Sequence, residues 1–221
     1  FRISICSLRL SGGGLAGQAL PLSLLAEGRM MLQALLDDLK SLPNLPVLLP
    51  LDDRCRNVSL PRNTEVVPVA QTDDIQQILT DLIPQAGLVW LIAPESDGIL
   101  EGLARLVTAQ QKILLLSQPE TLAICANKLS TYRCLLANGI PAVETLSLAG
   151  LHQAPFPACV IKPIDGVGCE GSLIVDDPAY YPAAKSILFN GVILLVQPLH
   201  VWQVVCVSGE GHLGWGWVVW C

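Results

Sequence analysis

The stretch that most limits what this chain can fold into is residues 159–175, Cys-Val-Ile-Lys-Pro-Ile-Asp-Gly-Val-Gly-Cys-Glu-Gly-Ser-Leu-Ile-Val. Its two apolar ends, Cys159–Ile161 and Leu173–Val175, are short and rich enough in β-branched residues to be buried strands. Between them stand Gly166, Gly168 and Gly171, whose backbones no Cβ hinders. A strand–glycine loop–strand hairpin of this kind can aim successive backbone N–H groups at an anion. Lys162 places a cation at the end of the first strand, and Pro163 holds Lys162 extended rather than helical. Three glycines alone also suit an ordinary hairpin turn. Lys-Pro ahead of Asp-Gly-x-Gly-x-x-Gly-Ser points instead to phosphate binding. The loop is neither a Gly-Lys-Ser/Thr turn opening a helix nor the glycine fingerprint of a strand-to-helix dinucleotide turn.

Upstream, strand-like and helix-like segments alternate. Ile3–Leu10 reads as a strand, followed by Ser11-Gly12-Gly13-Gly14. Pro21 to Leu42 reads as a helix, with Leu25, Leu32, Leu35, Leu36 and Leu39 on one face and Pro43 as its stop. Val47–Leu51 and Glu65–Val69 read as strands, and Asp73-Asp74 caps a helix through Leu82. The strand Leu88–Ile92 leads to Ala93-Pro94-Glu95, the helix Gly98–Ala109 and the strand Ile113–Leu116. This alternation predicts an open, mainly parallel sheet whose ligands lie beyond the strands' carboxyl ends. Gly12, Gly13, Gly14 and Glu95 all fall at such ends. They serve either a substrate or, respectively, a flexible turn and a helix entry. Pro119–Ala126 and Lys128–Asn138 read as helices, and residues 143–155 as the crossing to a second domain. Past the hairpin, Asp176-Asp177-Pro178 caps a helix to Asn190, and Val192–Gln197 is a last strand.

Composition removes several classes of function. Apolar residues make up 52% of the 221 and mean hydropathy is +0.52, yet no apolar run reaches the roughly 18 residues that span a bilayer. A net charge of −6 and the lack of a basic stripe argue against a nucleic-acid partner. The eight cysteines show no C-x-x-C pairing, so a zinc site is not expected. With no signal peptide in the sequence, free thiols in the cytoplasm are the expectation. Cys169 is the thiol whose alkylation would block the glycine loop.

Four stretches, in order, resemble the ATP-grasp superfamily. They are Ser11-Gly12-Gly13-Gly14 with Leu22–Met31, Ile92-Ala93-Pro94-Glu95 with Gly98-Ile99-Leu100, Asn127-Lys128 through Pro141, and Ile161 to Ser172. Within that superfamily the Gly-Gly-Gly and Ala-Pro-Glu segments are most similar to the tyramine–glutamate ligase branch of methanofuran biosynthesis, with relatives in one-carbon-metabolising bacteria. The resemblance implies an α/β fold, an N-terminal open parallel domain over 1–118 and the ATP-grasp lid subdomain over 119–199. It implies that Lys128 and Lys162 are the two cations on the phosphates of ATP. The backbone of Asp165, Gly166, Val167, Gly168, Cys169, Glu170, Gly171 and Ser172 would cover the terminal phosphates. Gln197, Pro198 and Leu199 would form the hinge at adenine's edge, offering a carbonyl and an amide, with Ile161 and Val196 on the ring's face. The implied reaction activates a carboxylate as an acyl phosphate, which an amine then attacks, with Mg²⁺ assisting. Partners would be ATP and small carboxylate and amine substrates.

The family's Mg²⁺ ligands and phosphate-binding Arg lie after the hinge. Here the residues after Leu199 include one carboxylate, Glu210, and neither Arg nor Asn, so no metal site is expected in this chain and the catalytic subdomain is expected to be missing. Four of the five tryptophans, at 202, 215, 217 and 220, fall in this unpatterned segment. Tryptophan has a single codon, and reading Val201-Trp202-Gln203 one base later forces a glycine. Residues 200–221 are therefore expected to be an out-of-frame tail, the alternative being a genuine aromatic edge strand. Function accordingly has three readings: an ATP-dependent carboxylate–amine ligase seen as an incomplete copy, a non-catalytic ATP-binding module, or a remnant that folds poorly and does nothing.

Overall fold

The computed structural model describes residues 2–7, 22–55, 57–70, 72–166, 169, 171–188 and 192–200. Gly12, Gly13, Gly14, Val167, Gly168, Glu170 and the tail 201–221 lie outside them.

Five parallel strands form the first sheet: β1 (Ile3–Ser7), β2 (Val47–Asp52), β3 (Thr64–Val69), β4 (Leu88–Ile92) and β5 (Ile113–Leu114), in the order β3-β2-β1-β4-β5. Every residue of β1 and β2 is buried. A strand covered on both faces needs no polar alternation, which is why these segments read as unbroken apolar runs. On one face lies α1 (Leu22–Leu39), whose Leu32 and Leu36 are fully buried against Ile3, Ile5, Val47 and Leu49. The opposite face packs Cys6, Val89 and Leu91 under α2 (Ile75–Leu82) and α3 (Ile99–Ala109). Asp74 caps α2 by accepting from the Gln76 amide at 2.9 Å. The chain enters α3 through Asp97 (φ +57°) and Gly98 (φ +66°), two consecutive left-handed residues.

The second sheet joins β6 (Leu146–Ser147), β7 (Cys159–Pro163), β8 (Leu173–Val175) and β9 (Leu194–Pro198) in the order β6-β9-β7-β8, with every pairing antiparallel. Between the sheets run α4 (Pro119–Ala126) and α5 (Lys128–Ala137); α6 (Tyr181–Leu188) covers the second sheet. Asp177 opens the turn into α6 by accepting from the Ala179 amide at 2.8 Å.

Several boundaries differ from the sequence expectation. The helix expected to reach Leu42 stops at Leu39, after which Ser41 and Leu42 donate to Asp38 and Leu39 in tighter turns. β5 has two residues rather than four, although the Leu115 amide still reaches the Val89 carbonyl at 2.8 Å. β7 runs on through Lys162 and Pro163 because Leu195 and Leu194 pair with them. β6 lies inside the stretch expected to be a plain crossing. Two residues recruited by β9 carry no periodicity of their own. Among the described residues no helix is long and apolar enough to cross a membrane.

Candidate functional site

The expected hairpin is present: Cys159, Val160 and Ile161 pair with Val175, Ile174 and Leu173. Its turn needs left-handed backbone at Gly166 (φ +91°), Cys169 (φ +59°) and Gly171 (φ +68°). Gly171 is also sterically fixed, since a Cβ there would meet Pro163 Cγ at 3.0 Å. The Ser172 amide donates to the Cys169 carbonyl at 3.1 Å, closing the turn.

Strand alternation sorts the side chains onto two faces. Cys159 and Ile161 of β7, Val175 of β8 and Leu194 and Val196 of β9 form a core with Tyr181 and Ala184 of α6. Ile161 and Val196 are both 0% exposed there, so the expectation that they pack on a ligand's ring is corrected. Lys162 is one residue from Ile161 and therefore projects from the other face, which it shares with Val160, Leu195 and Gln197. Of these, Leu195 is itself fully buried, which leaves Val160 as the apolar side chain that a flat ring beside Lys162 could meet.

The two lysines arrive from different elements. Asn127 caps α5, its side chain accepting from the Ser130 amide at 2.9 Å, and so sets Lys128 in the first turn. The Lys128 amide donates to the Ile164 carbonyl at 2.9 Å, docking the helix start on the hairpin. Its ammonium donates to the Asp165 carbonyl at 2.7 Å and the Gly166 carbonyl at 3.2 Å. Burial and then repulsion from Lys162 hold the Lys128 ammonium below the ordinary lysine range, opposed by Asp165, Cys169 and Glu95. Burial also depresses Lys162, with Cys169 opposing. The Lys162 ammonium has no hydrogen bond or ion pair among the described residues. Two half-buried lysines beside a left-handed backbone turn, with Asp165 and Glu95 as the nearby carboxylates, form a site that can take an anion.

At the hinge, Gln197 Nε2 donates to the hydroxyl of buried Thr145 at 2.7 Å, tying β9 to the chain before β6. The Leu199 amide donates to the Ala158 carbonyl at 2.9 Å. The hinge amide expected there is thus already engaged. Antiparallel alternation turns the Pro198 carbonyl away from β7, toward the edge where a ligand could meet it.

Glu95 lies beyond the carboxyl end of β4, close enough to act on the charge of Lys128. The loop after it is stitched to the hairpin by the Asp97 amide, 3.4 Å from Asp165 Oδ2. Glu95 also lines a cavity of about 230 Å³ with Ser7, Glu27, Gly28, Met31 and Ile92. The sequence reading assigned no role to Asn127, Asp97, Ser7 or Glu27. Asn127 carries a cap signature, Asn immediately before the helix-forming run that opens at Lys128, that would have found it. The other three are assembled only by tertiary packing. Among the described residues no three His, Cys, Asp or Glu side chains gather as a metal site.

Residues 45–122 match the family described as the pre ATP-grasp 3 domain. No curated protein matches the sequence. The biotin carboxylase domain of Hydrogenobacter thermophilus 2-oxoglutarate carboxylase, solved with ADP and magnesium, superposes at TM-score 0.63 and 10% identity, covering 90% of this chain and 44% of that one. N5-carboxyaminoimidazole synthetase from Staphylococcus aureus, complexed with ADP, gives TM-score 0.57 and 13% identity over 90% and 47%. L-amino acid ligase from Bacillus licheniformis gives 0.54 and 17% over 90% and 43%. The chain therefore spans less than half the length of each of these three structures. Together with the two sheets and their order, these likenesses show that the chain has the ATP-grasp fold, with a pre-ATP-grasp domain matched over residues 45–122.

Proposed function

We propose that the chain binds ATP between the β7–β8 hairpin and α5, as the nucleotide-binding part of an ATP-dependent carboxylate–amine ligase. The observation that carries this reading is the convergence of Lys128 and Lys162 on one turn, with Lys162 left without a partner among the described residues. Lys162 and Lys128 take the phosphates, amides of the Asp165–Ser172 turn cover them, and the Pro198 carbonyl reads adenine's edge. In the overall reaction a carboxylate oxygen attacks the terminal phosphorus with ADP leaving; an amine nitrogen then attacks the acyl carbon and displaces phosphate. Aimed amides and fixed cations suit a reaction whose charge sits on phosphoryl oxygens. Residues 1–118 form the substrate-side domain and 119–199 the nucleotide-binding region. The finer assignment, ligation of tyramine to glutamate, rests on the Gly12-Gly13-Gly14 and Ala93-Pro94-Glu95 segments.

ATP-dependent protection against thermal unfolding tests the reading. Saturable protection that inorganic phosphate does not reproduce is expected, since a ligand bound only by the folded state raises its stability. Absence of protection at millimolar ATP would refute it. Protection without ATP- and amine-dependent turnover would instead assign a non-catalytic ATP-binding module.

A further inference from the structure

Gln197 and Val160 stand directly opposite one another on β9 and β7, on the face that carries Lys162. Opposed residues of antiparallel strands bring their Cβ atoms to about 5 Å. A flat ring resting on Val160 therefore meets the Gln197 side chain along its edge. Which end of that side chain it meets is set by Thr145, 3% exposed in the segment before β6. The Thr145 hydroxyl donates its one hydrogen to the Val143 carbonyl at 2.9 Å. Toward Gln197 it then serves as an acceptor, and it takes Nε2 at 2.7 Å. The amide is thereby oriented, with nitrogen on Thr145 and oxygen turned away. Gln197 is half-buried, and its Oε1 accepts no hydrogen bond among the described residues and still reaches solvent. A fixed acceptor is left open on the face of Lys162.

We infer that the Gln197 side chain selects a purine carrying an amino group at position 6, and that Thr145 is the positioning residue that sets it. A 6-amino group has two N–H donors. The Pro198 carbonyl, next along β9, takes one, and Gln197 Oε1 takes the other. A 6-oxo purine puts an oxygen in the same place, and two acceptors facing each other in a half-buried site both go unpaired. Without the Thr145 hydroxyl nothing holds the amide, and Nε2 is free to turn and donate to a 6-oxo group. Base selection thus depends on a side chain that touches no ligand. The inference rests on the nucleotide reading proposed above and adds to it a side-chain filter for the base.

Titration calorimetry of the full chain with ATP and with inosine triphosphate, its 6-oxo counterpart, tests it. The wild type is expected to bind ATP about tenfold or more tightly, the range for a polar group left unpaired. Thr145→Val, the same shape without the hydroxyl, is expected to shrink that preference about five- to tenfold, with inosine triphosphate binding more tightly than to the wild type. Thr145→Ser keeps the hydroxyl and should keep the preference. Gln197→Leu removes the acceptor and should lose it. A residue that merely held β9 in place would lower both affinities together. No preference in an ATP-binding wild type, a preference unchanged in Thr145→Val or Gln197→Leu, equal loss of both nucleotides in Thr145→Val, or a serine variant as unselective as the valine one would overturn the inference. If Thr145→Val fails to fold, Gln197→Leu decides. Absence of ATP binding by the wild type removes the nucleotide reading itself, whereas ATP binding with an unaltered ratio removes the role of Thr145 and Gln197 only.

Discussion

At the carboxyl end of β2, Asp52 is 1% exposed and fully engaged: its carboxylate takes Arg54 Nη2 at 2.7 Å, Nε at 2.9 Å and the Arg54 amide at 2.8 Å. At the end of β7, Lys162 is half-buried, and its ammonium finds no such partner among the described residues. Both are charges at strand ends. The first sheet closes its own charge locally and is covered on both faces, so its energetics are those of a core. The second sheet packs α6 on one face and carries Lys162, without a hydrogen bond or ion pair among the described residues, on the other. That difference distinguishes a scaffold from a site: burying a charge without a partner lowers stability, and it persists where a ligand supplies the partner.

The largest expected effect breaks the comparison at its charged ends. Arg54→Ala leaves a buried carboxylate without its partner and should destabilise by about 3 kcal/mol in urea unfolding. Lys162→Met, nearly the same shape without the charge, should be neutral or stabilising. The two charges also differ with pH. Arg54 holds the Asp52 carboxyl below its ordinary 3.8, so its contribution is fully present above that value and lost as pH falls through the lower folded value. Lys162 lies below its ordinary 10.5, so the folded chain releases its proton before the unfolded chain does. Stability should therefore rise as pH passes upward through the folded value, and Lys162→Met should abolish that rise. An Arg54→Ala protein as stable as wild type would erase the distinction.

Glycines sharpen it at smaller scale. Gly171→Val in the hairpin meets both a left-handed backbone and Pro163, and should cost about 1–3 kcal/mol. Gly102→Ala, in the middle of α3 with nothing within 4 Å of an added Cβ, should gain about 0.5–1 kcal/mol. Thermal melts of both variants check the pair. Tolerance of valine at 171 would mean that the turn does not need its left-handed residue.

Much of this organisation is legible in the residues. The hairpin strands, the Asp74 cap and β4 at Leu88–Ile92 follow from local composition and turn chemistry, which act over a few residues. The choice of face for Lys162 does not. β7 and β9 are apolar on both faces, Val160 beside Ile161 and Leu195 beside Val196, so hydropathy cannot say which face α6 covers. Lys162 is the clue: a residue one place away on a strand cannot share its face, so Val160 rather than Ile161 lies on the side of Lys162. Ser7 and Glu27 were illegible for a different reason. Their meeting depends on the register between α1 and β1, set by packing of Leu32 and Leu36 on Ile3 and Ile5. The residues 12–14 and 201–221 lie outside the described structure, so the expectations placed on them stand as proposals.

The most direct measurement is the equilibrium affinity for ATP of the wild-type chain and of Lys162→Met, at one pH and ionic strength, with folding verified by far-UV circular dichroism. If the second sheet keeps an unpaired cation for a phosphate, the wild type binds saturably and the variant, folded and no less stable, binds more weakly by about 1–3 kcal/mol, roughly 10- to 100-fold. Equal affinities in two folded proteins would contradict the assignment of the β7–β8 hairpin as the nucleotide site.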